Sequence, residues 1–115
     1  MSWAVGLVLA AAVAGRSPSE RQALADLAYI LGEAHALKVA CAGAADQTWR
    51  SRMNQLLEVE KPDEAFRRRL TDSFNLGFST RQAAHPACDP SVADSERSVA
   101  EQGRALAERL AGDSL

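Results

Sequence analysis

This chain of 115 residues predicts an all-α fold, a compact four-helix bundle-like domain with one disulfide. Three observations lead there. Apolar residues recur at helical spacing in four separate stretches, each bounded by residues that start or stop helices. Two cysteines, Cys41 and Cys88, fall at the end of the first stretch and just before the last. An apolar segment that reads as an export signal precedes all four, and export would place both thiols in an oxidising compartment.

The apolar run from Trp3 to Val13 ends in Ala12-Val13-Ala14, the small-residue pattern of a cleavage site. Residues 1–14 are therefore assigned as a signal peptide and residues 15–115 as a single helical domain. No Lys or Arg precedes Trp3, so the amino terminus or an upstream start must supply the usual positive charge. The competing readings are a buried N-terminal helix and a membrane anchor. The anchor reading suffers on length, since a span needs ~20 apolar residues.

The first helix is expected from Pro18 to Cys41. Ser17 or Ser19 caps it, Leu24, Leu27, Leu31 and Ala34 form its apolar line, and Ala28, Tyr29, Ile30, His35 and Leu37 broaden that line into a face suited to two neighbours. Gly32 costs about 1 kcal/mol of helix propensity against Ala, which a close helix crossing would explain. Gly43 ends the segment. Asp46 is expected to cap the second helix, with Trp49 in its first turn, then Met53, Leu56 and Leu57 on one side and Arg50, Arg52, Gln55 and Glu58 on the other. Lys61-Pro62 ends it, because the residue before proline is pushed out of the helical region.

Pro62 or Asp63 opens the third helix, whose stripe Phe66, Leu70, Phe74, Phe78 advances in i,i+4 steps. Gly77 beside that stripe leaves room for a neighbouring backbone. Periodicity fades at Ala83-Ala84-His85-Pro86. Asp89-Pro90 gives a cap and a fixed first position for the fourth helix, in which Val92, Val99, Leu106 and Leu110 recur with Gly103 and Ala107 as small fillers, until Gly112 stops the run. A Cys41–Cys88 bond would bring the C-terminal end of helix one against the N-terminal end of helix four. The alternative is a pair of buried, unpaired cysteines.

The formal charge of −2 gives no reason to expect a nucleic-acid or anionic-membrane partner. The run Arg67-Arg68-Arg69 follows Asp63 and Glu64 at helical spacing, the pattern of a solvated face, with an anionic partner surface as the competing reading. No catalytic residues, metal ligands or cofactor are assigned. Two histidines and two cysteines lack zinc-type spacing, no pair of cysteines is separated by two residues, and neither a nucleophile elbow nor a phosphate loop occurs. Glu33 stands two residues before His35, a separation at which helical side chains do not face each other.

Polar residues beside the apolar stripes form the candidate site: Glu33, His35, Trp49, Arg50, Arg52, Asn75 and Arg81. A buried network could let Glu33 or Asn75 orient Trp49 and Arg52, either to fix packing alone or to present a ligand or partner surface.

The strings from Leu27 to His35, Cys41 to Gly43, Asp46 to Met53, Phe74 to Phe78 and Cys88 to Pro90 resemble a family of small exported alphaproteobacterial proteins. The resemblance extends over about residues 24–110. It implies a periplasmic, helical, disulfide-linked domain in which Glu33, His35, Trp49, Arg50, Arg52, Met53, Asn75 and Gly77 match the family pattern. Phe78 replaces the family's usual Tyr, which removes any role for a hydroxyl there. No activity comes with the resemblance.

The leading functional expectation is a periplasmic interaction or accessory protein that binds another envelope protein, as inhibitors of secreted hydrolases and immunity proteins do. The alternative is a binder of small ligands or cell-wall fragments with a pocket near Trp49 and His35, and an enzyme is the remaining class.

Overall fold

A computed structural model describes residues 15–113, so the expected signal peptide lies outside the described residues. Four helices follow in order: α1 Pro18–Ala42, α2 Thr48–Glu60, α3 Glu64–Ala84 and α4 Pro90–Asp113. The domain is all-helical and four-helix bundle-like, with Cys41 and Cys88 joined as a disulfide whose residues are both exposed.

Local chemistry sets the ends. At α1, Ser17 Oγ accepts from the Glu20 amide at 3.1 Å while Glu20 Oε1 accepts from the Ser17 amide at 2.9 Å, a reciprocal capping box ahead of Pro18. Gly43 closes α1 at φ 99°, where a side chain would be strained. The cap of α2 differs from expectation by one residue. Gln47 occupies the cap position without a side-chain bond, and Asp46 Oδ1 accepts from the Thr48 amide at 3.0 Å instead. Lys61 takes the left-handed conformation, φ 46°, that ends α2 before Pro62. Asp63 Oδ1 caps α3 through the Phe66 amide at 2.8 Å, so Asp63 serves the backbone. Asp89 Oδ1 accepts from the Ser91 amide at 2.8 Å at the start of α4. That helix runs through Gly112 to Asp113 and does not stop at the glycine.

Contacts between helices fix their directions. Arg69 bonds Gln22 and Arg81 bonds Glu33, so α1 and α3 run parallel. Cys41 meets Cys88 while Arg16 reaches the Leu110 carbonyl, so α4 is antiparallel to α1. Arg16 also binds Glu60 at the end of α2, which is antiparallel as well.

α1 is the central helix, packed against each of the other three. Its buried residues, among them Leu24, Ala25, Ala28, Leu31, Ala34, Ala36 and Leu37, fall on every side, as a helix enclosed by neighbours requires. Two neighbours were expected; it has three. Tyr29, Gly32 and Glu33 meet α3, Ala34 and Leu37 pack with Val92 and Val99 of α4, and Leu24 and Leu31 share a cluster with Met53 and Leu57 of α2 and with Phe66, Leu70 and Phe74 of α3.

The α1–α3 contact is backbone against backbone. A Cβ on Gly32 would lie 1.9 Å from the Phe74 carbonyl oxygen, and one on Gly77 would lie 2.1 Å from that of Tyr29. Both glycines are there because nothing larger fits.

Candidate functional site

Three helices packed on one leave a seam between α2 and α4, opposite α3. Here the molecule has a groove of about 630 Å³. Its floor is Leu27, Ile30 and Leu31 of α1. One wall comes from Trp49, Arg52, Gln55, Leu56 and Val59 of α2, the other from Arg97, Ala100, Glu101, Gly103, Arg104 and Ala107 of α4. Val59 is 69% exposed on the rim, an apolar side chain left in water.

Polar contacts tie the two walls together at the ends of the groove. At one end Trp49 Nε1 donates to Glu96 Oε2 at 3.0 Å, joining the first turn of α2 to α4. At the other, Arg16 donates to both carboxylate oxygens of Glu60, at 3.0 Å each, and also to Glu20 at 3.1 Å and the Leu110 carbonyl at 3.3 Å. Its guanidinium therefore joins the start of α1 to the last turns of α2 and α4.

The expected polar residues separate into three pairs in three places, with Asn75 apart from all of them. Trp49 and Arg52 belong to the groove, where the Arg52 guanidinium lies 4.9 Å from the indole ring centre. Trp49's partner is Glu96, not Glu33 or Asn75. Glu33 instead pairs with Arg81 at 2.7 Å across the α1–α3 contact, with both side chains largely covered. Asn75 is exposed on α3, and its backbone carbonyl accepts from the Ser79 hydroxyl at 2.9 Å.

His35 and Arg50 make the third place. His35 is 4% exposed, with ring centres of Phe74 and Phe78 at 5.8 and 5.3 Å, and its buried Nδ1 has no hydrogen-bond partner among the described residues. Arg50 lies over the same Phe74 ring, 5.5 Å from its centre. Burial pushes the imidazole's affinity for a proton down, the Arg50 charge adds to that effect, and Asp46 opposes it. His35 is thus a neutral packing residue facing α3, and it does not line the groove that Trp49 lines.

Sequence reasoning missed Glu96, the Arg16–Glu60 pair and the wall residues Val59, Arg97 and Arg104. The α4 wall carries exposed ion pairs of Arg97 with Asp94 and of Arg104 with Glu101 and Glu108. Arg52 has no carboxylate partner among the described residues. Among those residues, too, no group of three His, Cys, Asp or Glu could hold a metal ion, and no helix is long and apolar enough to cross a membrane.

The fold and groove define a class: small all-helical domains, stapled by a disulfide, with an open apolar channel on one side. The chain belongs to the family described as Protein of unknown function (DUF2385), which it matches over residues 18–113. That match covers every string on which the sequence resemblance rests. No curated protein and no solved structure matches the chain.

Proposed function

We propose that this is an exported, periplasmic accessory protein that acts by binding another envelope protein through the α2–α4 groove, and that it performs no catalysis. The observation that carries the reading is the groove itself, open along one side, with an apolar floor and with Val59 exposed on its rim. Exposed apolar surface framed by polar residues is the usual mark of a protein contact. A small-ligand site needs polar groups converging inside a pocket. Trp49 and His35 do not supply that convergence, because His35 faces α3 and its Nδ1 lies buried. Export is supported by the Cys41–Cys88 bond, which lies on the surface, where cytosolic reductants would attack it. The alphaproteobacterial resemblance adds the periplasm.

The test expresses the full chain with a C-terminal tag in an alphaproteobacterial host and recovers it from the envelope fraction after crosslinking. Protein captured by the wild type should be lost with Val59→Asp and reduced with Arg52→Ala, while Asn75→Ala on α3 keeps it. Capture indifferent to all three, or a product confined to the cytosol, defeats the reading.

A further inference from the structure

We infer that the groove receives an amphipathic helix of about three turns, carrying acidic residues beside its apolar stripe and contributed by a different protein. The inference rests on the accessory-protein reading above and names the chemistry of its partner.

Length is the first argument. The α2 wall runs from Trp49 to Val59 and the α4 wall from Arg97 to Ala107, so each spans roughly 15 Å at the helical rise per residue. The Trp49–Glu96 bond and the Arg16 contacts hold the two walls parallel and in register. A guest of roughly 11 residues in helical form matches that length, with apolar side chains at i, i+3, i+4 and i+7 facing the floor.

Backbone chemistry is the second argument. Both walls and the floor are helices, whose amides and carbonyls are already bonded internally, so they offer no ladder to an extended chain. An extended peptide would carry unpaired backbone groups into an apolar channel. A helix brings its own backbone already satisfied. Ala100 and Ala107 leave the α4 wall low enough for a guest backbone to lie close.

Charge decides the flanks. The lining holds Arg52, Arg97, Arg104 and Glu101, and Asp94 and Glu108 pair with the last two arginines from beside it. Arg97 and Arg104 already have carboxylate partners, but those pairs are 60–80% exposed and weak enough to exchange. Among the described residues Arg52 has none, and its guanidinium lies 4.9 Å from the Trp49 ring centre. A guest carboxylate one turn from the apolar stripe completes it.

The probes are three synthetic peptides of 14 residues: one with Leu at helical spacing and Glu on its flanks, one with Lys replacing Glu, and one with the Leu positions scrambled. The protein is the full chain as processed and recovered from its host. Affinity is measured by calorimetry, and the Trp49 indole N–H resonance, assigned with Trp49→Phe, reports the location. The Glu peptide should shift that resonance and bind at least ten-fold more tightly than either of the others, and Arg52→Glu should reverse the order of the Glu and Lys peptides. Arg52 is exposed, so thermal melts of that variant should match the wild type. Equal binding of the three peptides, a preference for Lys, no binding at all, or a wild-type homodimer that Val59→Asp dissociates overturns the inference. If the peptides fail while envelope capture still depends on Val59, the helix chemistry falls and the accessory reading stands. If the Glu peptide binds while capture yields nothing dependent on Val59, the accessory reading falls alone.

Discussion

Alanine in place of Gly32 or Gly77 should be among the most damaging of small substitutions in this molecule. At Gly32 the new methyl would stand 1.9 Å from the Phe74 oxygen, 2.8 Å from its carbonyl carbon and 3.0 Å from the Phe78 nitrogen. All three are backbone atoms, so no rotamer change relieves the contact. Restoring ordinary van der Waals distance means parting α1 and α3 by roughly 1.5 Å, and a gap of even 1 Å forfeits a large share of the dispersion energy along the contact. Overpacking of this kind costs about 3 kcal/mol, the upper part of its usual range, and alanine's better helix propensity returns about 1 kcal/mol. A net loss of about 2 kcal/mol lowers the melting temperature of a domain this size by roughly 8–16 °C. Gly77→Ala should behave alike, and the double variant should lose less than the sum, because the first methyl already parts the helices. Two glycines serve as controls. A Cβ on Gly103 meets side-chain atoms and no backbone, Ile30 Cγ2 at 3.1 Å and Leu27 Cδ1 at 3.8 Å, and one on Gly112 meets no atom of the described residues within 4 Å. Gly103→Ala should therefore fall within about 0.5 kcal/mol of the wild type, and Gly112→Ala should match or slightly exceed it. Urea and thermal unfolding followed by circular dichroism give the ranking. If Gly32→Ala unfolds no more easily than Gly103→Ala, the two helices do not touch through their backbones.

Reducing the exposed Cys41–Cys88 bond should lower stability by up to roughly 4 kcal/mol, the ideal-chain value for closing a loop over a separation of 47 residues. An unchanged melting temperature with two thiols titrated would end that argument. His35 sets a pH dependence of definite sign. Its folded-state pKa lies below the ordinary value of 6.5, chiefly through burial, so the unfolded chain takes up the proton first. Its contribution is complete above pH about 6.5 and is lost as pH falls through the folded value. His35→Phe should flatten the stability profile between pH 7 and 5 relative to the wild type, and parallel profiles would show that the imidazole is not buried neutral.

What could be read in advance was local. The sequence leaves Ser17 or Ser19 as the α1 cap and Pro62 or Asp63 as the α3 opening, and Ser17 and Asp63 each bond an amide within one helical turn, where spacing alone brings the groups together. The glycines were legible because a helix interior disfavours them without a compensating contact. The polar pairs were not. Trp49 and Glu96 are 47 positions apart, Glu33 and Arg81 48, and Arg16 and Glu60 44, so each depends on how far one helix slides and turns against another. That register comes from packing of the whole core, which is why spacing offers Glu33 to Trp49 and Arg52 while the fold pairs it with Arg81. The central place of α1 had a visible sign in its apolar residues on every side, but three neighbours and two look alike in such a pattern.

The same arrangement explains why a groove exists. Helices pack at interaxial distances of 8–10 Å, so three around one leave part of the central helix uncovered. The seam between α2 and α3 is filled by Met53, Leu57, Phe66, Leu70 and Phe74, and the close Gly32–Gly77 approach draws α3 inward on that side. Between α2 and α4 the groove lining sets Trp49, Leu56 and Val59 against the small Ala100, Gly103 and Ala107. The hydrogen bonds that join those walls are at the ends, through Trp49 with Glu96 and through Arg16, and they set the width of the channel without filling it. A guest entering the middle would displace water from Ile30, Leu56 and Val59 and break neither end contact. Binding and stability are therefore separable here: Val59→Asp, at a side chain already in solvent, should abolish the first and leave the second unchanged.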